Sequence, residues 1–414
     1  MSTISDTDED RWVRLAGLLS AAMAASMLLL FVVGSIGIFL IKDLHLSRSA
    51  LGGLVSISFG TAALLSIYSG KVVDLIGGRI ALASLFAVVA VDFVLISLAT
   101  TYGWLLVAFA LGGVGQSLAN PATNKLVTQF VSLKRRGVVV GIKQAGVQMG
   151  ALVAGLVLPS LAAAFGWRTA ARAVTVVPLL GFFLVLIVVP SHRAPVGQRR
   201  LVRLAVPEVP VRWLMGYSLF MGAGAAGMNS YLALYAHQAV GLTADEAGFV
   251  LAALAAAGAC SRVFWSGMGE RIGSPSAALV IVSAVAVVSA LLVCLASSVG
   301  AVLLWVGAVG LGGSAVAAFA ISMVVLLTES QIRKAGHDSA MVSLGIFVGF
   351  VIGALAFGAI VDFTGGYTAA WLVVAAEFAV AGGLAVVWRR SGSEGRSSTV
   401  VAYGEGKLCR TIRG

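Results

Sequence analysis

Polar side chains inside the long apolar segments of this chain follow a helical spacing. Gln116, Asn120 and Asn124 are four residues apart, so a helix would carry them in one stripe. The following apolar segment contains a second group: Lys143, Gln144 and Gln148. If the two segments are antiparallel helices with a rise of about 1.5 Å per residue, the two groups lie at the same depth. Amides and an ammonium group at one depth are suited to bind a polar or anionic solute.

These residues also have a structural interpretation, which the sequence leaves open. Amides of membrane helices hydrogen-bond neighbouring helices, for about 0.6 kcal/mol each on average. A long Lys side chain can extend its ammonium group to the membrane surface. A further polar group in a later segment is predicted to face the first: Asn229, Tyr231 and Tyr235.

Two carboxyl groups, Asp92 and Glu377, lie well inside apolar segments. A charged carboxylate near the bilayer centre costs about 3 kcal/mol, so such residues commonly have a function. A carboxyl group that takes up a proton on one side and releases it on the other couples proton flow to solute movement. Asp92 is the first candidate for this role and Glu377 the second. The alternative is a carboxyl group that stays neutral or bonds to a neighbour. Arg262, near the end of its segment, is predicted to anchor a helix rather than to bind a ligand.

The composition of the chain is that of a membrane protein. Of 414 residues, 59% are hydrophobic and 11% are charged, whereas a soluble domain contains about 25% charged residues. Twelve membrane helices of about 20 residues each would use roughly 240 residues. The first apolar run, residues 15–41, is too long for a signal peptide and is predicted to be an uncleaved helix.

Charges and Gly or Pro residues divide the chain into twelve predicted membrane helices of an all-α membrane protein. The first six lie near residues 15–41, 49–69, 80–99, 103–130, 138–164 and 170–189. The second six lie near residues 213–236, 246–265, 276–297, 300–327, 339–361 and 368–388. The predicted domains are an N-terminal six-helix bundle (1–190), a linker (191–212), a C-terminal six-helix bundle (213–388) and a basic tail (389–414). The weakest boundary separates helices 9 and 10, because no charge occurs between Arg271 and Glu329, and only Ser297, Ser298 and Gly300 mark a turn there.

The positive charges of the chain indicate its orientation. Lys and Arg concentrate at the N-terminus, in the loops after even-numbered helices and in the tail. Positive residues near helix ends stay in the cytoplasm, so both termini are predicted to be cytoplasmic. The excess of 28 Lys and Arg over 17 Asp and Glu then reflects topology and contact with anionic lipid, not nucleic-acid binding. The abundance of Arg, Ala, Gly and Val is typical of a bacterial protein and hence of a plasma membrane.

The two halves of the chain contain an internal repeat. Residues 146–155 read GVQMGALVAG and residues 349–358 read GFVIGALAFG, which share the pattern GxxxGALxxG in helices 5 and 11. Residues 111–113 recur as residues 311–313 at a similar offset. Because each half has an even number of helices, the copies face the same way around an axis along the membrane normal. Two such bundles can rock about a central site, although GxxxG patterns also serve simple helix packing.

The loop between helices 2 and 3 contains a recognisable motif. Residues 70–79 read GKVVDLIGGR, and this resembles the signature GxxxD(R/K)xGxR(R/K) of the major facilitator superfamily, with Leu75 in place of the usual base. A degenerate second copy, SGMGERIG at residues 266–273, includes Glu270 and Arg271. The resemblance covers about residues 10–390. It implies a latch between the two halves formed by Gly70, Asp74, Gly77 and Arg79. It also implies that helices 4 and 5 line a solute cavity.

Enzymatic functions find little support in the sequence. No GxxxxGK(S/T) phosphate loop occurs, the four His residues are scattered, and the three Cys residues are unpaired. We therefore predict a non-enzymatic secondary transporter without cofactor or metal, acting as a monomer on a small organic solute that is polar or anionic, with proton coupling. Drug or metabolite efflux by proton antiport is an alternative, which is less favoured because Leu156 and not Pro follows Gly155. A transport-inactive sensor and a membrane-embedded enzyme remain alternatives of other classes.

Overall fold

The structure is a computed structural model that describes residues 6–190, 209–272, 275–329 and 335–390. Its described part is helical, with short connections. The helices of the first half are α1 (Asp6–Leu44), α2 (Arg48–Ile76), α3 (Gly78–Ser97), α4 (Tyr102–Phe130), α5 (Leu133–Phe165) and α6 (Trp167–Val188). Those of the second half are α7 (Val209–Gln238), α8 (Ala244–Ile272), α9 (Pro275–Val299), α10 (Ala301–Glu329), α11 (Ala335–Thr364) and α12 (Thr368–Arg390).

The predicted fold class is confirmed by these helices. Eleven of them, within the described ranges, are long and apolar enough to cross a membrane, and α7 is the exception. Residues 221–236 of α7 are all buried, and many of them are Gly or Ala. A helix that is surrounded by other helices needs small residues for close packing, not an apolar surface for lipid. At 30 residues, α7 is still about 45 Å long, which exceeds the bilayer core.

The weakest predicted boundary, between helices 9 and 10, lies at Gly300. This residue separates α9 from α10 and has φ of +142°. Such a backbone conformation is open to Gly and strained for residues with a Cβ atom. A single residue therefore reverses the chain where no charge marks the turn.

Corresponding helices of the two halves make corresponding contacts. In the first half α1 packs on α5, α2 on α4, and α3 on α6; in the second half α7 packs on α11, α8 on α10, and α9 on α12. The halves meet where α2 contacts α11, where α5 contacts α8, and where α1 contacts α7. This pairing is that of two pseudo-symmetric six-helix bundles. The domain limits stay predictions, because residues 191–208 of the predicted linker and residues 391–414 of the predicted tail lie outside the described part.

The glycines of the repeat allow close packing inside each half. A Cβ atom at Gly146 would overlap the backbone of Ser20, and one at Gly150 would lie 3.1 Å from the Cβ atom of Ala24. The repeat makes the same contacts with α7: Gly349 meets Leu219, and Gly353 meets Ala223. The first two glycines of each motif thus join α5 to α1 and α11 to α7.

The last glycine of each motif has a different neighbour. Gly155 lies against Gly248 and Ala252 of α8, and Gly358 lies against the backbone of Arg48 in α2. These contacts cross between the halves. One motif therefore serves both packing within a half and the interface between the halves.

The connections between helices lie at two opposite faces of the bundle. The termini face carries the start of α1, the end of α12 and the connection at residues 76–78. The distal face carries the connections at residues 44–48, 98–102, 238–244 and 364–368.

Candidate functional site

Lys143 forms the centre of a polar group between α4 and α5. Its side chain is fully buried, and its Nζ atom donates to Oδ1 of Asn124 at 2.6 Å and to Oγ1 of Thr123 at 2.9 Å. Both partners are neutral. Asn124 is exposed, so the ammonium group lies one side chain away from the accessible surface of the protein.

Thr123 is the member of this group that the sequence pattern missed. Its hydroxyl donates to the backbone oxygen of Ala119 at 2.6 Å, one helical turn earlier. The lone pairs of the hydroxyl oxygen are then free to accept the hydrogen bond from Lys143. Its position beside Asn124 in the sequence was the available signal, but a Thr in a membrane helix most often bonds only its own backbone.

The remaining amides of α4 are arranged along the same helix. Gln116 is buried, and its Nε2 atom donates to the sulfur of Met27 at 3.2 Å. Its Oε1 atom is buried without a hydrogen-bond partner among the described residues. Asn120 is half-buried. The stripe therefore runs from a buried end at Gln116 to an exposed end at Asn124.

The amides of α5 face the second half of the molecule. Gln148 is buried, and a Cβ atom at Gly258 in α8 would lie 3.1 Å from its Oε1 atom. The backbone oxygen of Gln144 accepts a hydrogen bond of 2.5 Å from a terminal nitrogen of Arg262 in α8. Lys143 and Gln144 are adjacent in sequence, so this contact places a cation of the C-terminal half against the turn of α5 that carries Lys143.

The three predicted residues of α7 are not part of this group. The side chain of Asn229 donates to its own helix, at the oxygen of Ala225. The hydroxyl of Tyr231 bonds the oxygens of Arg48 at 2.7 Å and Ala354 at 3.1 Å, in the interface near the distal face.

Tyr235 is directed towards α9. Its hydroxyl donates to the oxygen of Val293 at 2.8 Å and accepts from the backbone nitrogen of Ser297 at 3.0 Å. The periodicity of α7 predicts which of its polar residues lie on the same side of the helix. It does not predict whether that side faces the polar group of the first half. The two tyrosines therefore stabilise helix contacts in this structure.

Asp92 is fully buried, and neither of its carboxylate oxygens has a hydrogen-bond partner in the described part of the chain. The carboxylate lies at the contact of α3 with α4 and α1, beside Gly112 and Leu29. A side chain at position 112 would overlap it, so Gly112 provides the space that the carboxylate occupies. Glu377 of α12 is half-buried, and no described residue forms an ion pair with it.

The loop motif forms its described contacts within the first half. Oδ1 of Asp74 accepts from Nζ of Lys125 in α4 at 3.0 Å, and the same nitrogen reaches the oxygen of Val73. Gly77, with φ of +86°, connects α2 directly to α3. Arg79 donates to the oxygen of Leu186 at the end of α6. Gly70 is exposed.

The latch between the halves stays a prediction. Glu270 and Arg271 belong to the last turn of α8, but their side chains lie outside the described part. Lys125, the partner of Asp74, was not singled out from the sequence, because one Lys at the end of a span is explained by topology alone.

A second polar network joins the two halves at the distal face. Asp362 of α11 accepts from the backbone nitrogens of Arg48 at 3.1 Å and Ser49 at 2.7 Å. The guanidinium of Arg48 donates to Oε1 of Gln238 at 2.9 Å and 3.2 Å, and Tyr367 donates to the same oxygen at 2.7 Å. Burial raises the pKa of Tyr367, so its hydroxyl keeps the proton that it donates. We call this set, Arg48, Ser49, Gln238, Asp362 and Tyr367, the distal network.

The contact of α5 with α8 has a smaller counterpart of this network. Ser160 near the end of α5 donates to Asp245 at the start of α8 at 2.8 Å. Neither set of contacts was predicted from the sequence. The only indication of these contacts in the sequence was the presence of charged residues at the ends of the predicted helices. Because such charges occur at the ends of most membrane helices, they do not identify a contact between the halves.

Comparisons with known proteins agree with this architecture. Residues 15–339 match the family model of the Major Facilitator Superfamily. The structure is similar to that of a bacterial homolog to the human lysosomal transporter Spinster, crystallised in an inward-facing and occupied conformation. The TM-score is 0.72 at 17% sequence identity, over 92% of this chain and 96% of that chain. At this identity the likeness shows the fold alone. A search of curated proteins gave no match.

Proposed function

Because the chain belongs to the Major Facilitator Superfamily of membrane transporters, we propose that it carries a small polar or anionic solute by alternating access, coupled to protons. Under this proposal the protein lies in a cell membrane with both termini in the cytoplasm. The termini face is then the cytoplasmic face, and the distal face is the outer face. The site consists of Lys143 with the amides of α4 and α5.

The observation that carries the proposal is the environment of Lys143. Its ammonium group is buried and bonded to two neutral oxygens, and no described carboxylate pairs with it. A buried cation without a counter-charge is costly, and an anion that enters beside it repays part of that cost. Because Asn124 is exposed, a solute anion can reach the ammonium group by displacing a single amide.

The symmetry of the two bundles and the distal network support alternating access. The distal network joins α2 to α7 and α11, and Asn124 and Lys143 lie on the side of the interface towards the termini face. Access from the outer face requires the distal network to break, while access from the cytoplasm does not. The similar rigid bundles on both sides allow such rocking with few changes inside either bundle.

Asp92 is the residue we propose for proton coupling, with Glu377 as the second candidate. The carboxylate oxygens of Asp92 lack described partners. Because a buried charge without partners is costly in free energy, the group is most stable there when it binds a proton. Asp92 lies beside Gly112 of α4, the helix that also carries Asn120 and Asn124. A change in the charge of Asp92 therefore changes the electrostatic environment of α4, which is the helix that lines the proposed site.

Transport is tested with the purified protein in proteoliposomes. A thermal-shift screen of carboxylates, phosphates and neutral polar metabolites first selects a solute that stabilises the protein. Counterflow of that solute without ATP is the expected result. Formation of a chemical product would support the enzyme alternative, and binding without flux would support the sensor alternative.

The role of Lys143 is tested in the same vesicles. Lys143→Gln should reduce counterflow of an anionic solute about tenfold or more, because a hydrogen bond to a charged group contributes about 1.5–3 kcal/mol. Lys42→Gln, which removes an exposed Lys at the distal face, is the matched control. Equal counterflow of the anion by Lys143→Gln and the control would contradict an anion site at Lys143.

A further inference from the structure

We propose that the solute carries two negative charges and bridges the two halves, with Lys143 binding one charge and Arg262 the other. This inference rests on the proposed function and adds a residue and a charge requirement to it. The sequence favoured a purely structural role for Arg262. The contacts of α5 with α8 point to a binding role.

The register of α5 against α8 places Arg262 beside the site. The two helices run antiparallel, and their contacts pair Ser160 with Asp245, Gly155 with Gly248 and Gln148 with Gly258. Arg262 is one helical turn beyond Gly258, and it reaches Gln144, the neighbour of Lys143. Arg262 of the second half therefore lies at the level of Lys143 along α5, while the ammonium group of Lys143 bonds α4.

The hydrogen bonding of Arg262 is incomplete in the described part of the structure. One terminal nitrogen donates to Gln144, while the Nε atom is buried without a partner. A guanidinium has five N–H donors and keeps its charge in proteins. The backbone oxygen of Gln144 is neutral, and no described carboxylate pairs with Arg262. Among the described residues, the group therefore has unused donors and no counter-charge.

Two such cations define the charge of the preferred solute. A single negative charge compensates either the buried Lys143 or the half-buried Arg262 and leaves the other without a counter-charge among the described residues. A solute with two acidic groups, or one phosphate, compensates both. The planar guanidinium suits two-point binding of a carboxylate or phosphate. Because the cations belong to different halves, a bridging solute also favours the state in which the halves are close.

The charge requirement is tested first on the unmodified protein. The purified protein is heated with succinate or hydrogen phosphate, and with butyrate or chloride, at equal ionic strength. The dianions should raise the midpoint of thermal unfolding at concentrations about ten times lower than the monoanions. Equal stabilisation by succinate and butyrate, or stabilisation by neither dianion, would overturn the inference.

The role of Arg262 is tested by substitution. Arg262→Gln should weaken the stabilisation by succinate about tenfold to a hundredfold, and it should bring the response close to that for butyrate. Arg172→Gln removes one charge from the exposed surface of α6 and should leave the response to succinate unchanged. Arg262→Lys keeps the charge without the planar fork, and it should retain most of the preference for the dianion if Arg262→Gln folds poorly.

The outcomes separate this inference from the proposed function. If counterflow of an anion depends on Lys143 but Arg262→Gln and Arg262→Lys both bind succinate like the unmodified protein, the second cation is wrong and the transport proposal stands. If dianions bind through both residues but no solute crosses the membrane, the proposed transport fails and the two-cation site stands.

Discussion

Lys143 and Asp92 show how differently one bundle accommodates buried ionisable groups. Lys143 has two hydrogen-bond acceptors from α4, so its donors are largely satisfied, while no carboxylate in the described part of the chain compensates its charge. Asp92 has no described acceptor or donor and fits into a space left by Gly112. We infer different uses from these environments. Lys143 is arranged to hold an anion, and Asp92 is arranged to hold a proton.

Replacement of Asp92 by Asn tests the proton role. Asn has the size of a protonated Asp but cannot release a proton, so proton-driven accumulation of the solute should fall to equilibration. Counterflow, which requires no net proton movement, should continue. Accumulation and counterflow are measured in the same proteoliposomes, with and without an imposed pH gradient.

Glu377→Gln is the control for this experiment, since it removes the other carboxyl group of an apolar segment. It should leave accumulation intact if Asp92 alone is the coupling residue. Unchanged accumulation by Asp92→Asn would remove this residue from the mechanism. Loss of accumulation in Glu377→Gln alone would assign the role to α12.

At the scale of elements, the glycine motifs of α5 and α11 determine how closely helices approach. Their first two glycines pack within a half and their last glycine packs across the interface. The prediction that these motifs permit movement between the halves therefore concerns Gly155 and Gly358. Gly146, Gly150, Gly349 and Gly353 join helices that move together when bundles rock as units.

A methyl group at Gly353 should destabilise the second half. It would overlap the backbone of Ala223 in α7, and overpacking of this kind costs about 1–3 kcal/mol. Gly353→Ala should therefore lower the midpoint of thermal unfolding in detergent. Gly383→Ala in α12, where a Cβ atom would meet no other atom within 4 Å, is the control and should leave the midpoint unchanged. Equal midpoints for the two variants would show that α7 and α11 are not packed this closely.

The loop between α2 and α3 is predicted to control turnover and not affinity. Asp74 holds Lys125 of α4 at the termini face and makes no described contact with Lys143 or Asn124. Asp74→Asn should slow counterflow several-fold while leaving the concentration dependence of thermal stabilisation by the solute unchanged. Arg172→Gln, which removes one exposed charge from α6 outside the loop motif, is the control. A loss of affinity at normal turnover would argue against the latch.

At the scale of the whole molecule, two contacts between the halves differ in the number of polar groups that hold them together at the distal face. The contact of α2 with α7 and α11 contains the distal network, whereas the contact of α5 with α8 ends in one bond from Ser160 to Asp245. Opening towards the distal face must break both. The distal network involves more polar groups and is expected to contribute most of the resistance.

Arg48→Gln should favour the state that is open at the distal face. Ser56 lies below the distal network and bonds Val351 across the halves, so a Cys at this position reports the opening. In a variant without the native Cys residues, Ser56→Cys should react several-fold faster with a membrane-impermeant maleimide when Arg48 is also replaced.

Arg168→Gln is the matched control for Arg48→Gln. Arg168 forms an ion pair of 2.6 Å with Asp43 at the same face, but both residues belong to the first half. Its loss should not change the labelling of position 56. Equal labelling with and without Arg48 would show that the distal network does not hold this state.

The sequence by itself determined the class of the fold and the number of helices. Hydrophobic segments in lipid must satisfy their backbone within one helix, so each apolar segment predicts its own structure. The repeat and the loop motif are local patterns too, and they led to the family. The position of the turn at Gly300 could also be predicted from the sequence, because Gly readily adopts the positive φ that this turn requires.

Only the tertiary structure decided which polar groups meet. The spacing in α4 and α5 correctly put Asn124 and Lys143 at one depth, but it did not include Thr123 or the approach of Arg262. The same reasoning grouped Tyr231 and Tyr235 with the site, whereas they bond backbone oxygens elsewhere. A periodic pattern gives the face that a residue occupies on its own helix. The rotation of that helix against its neighbours depends on packing contacts between residues far apart in the chain, which no local pattern contains.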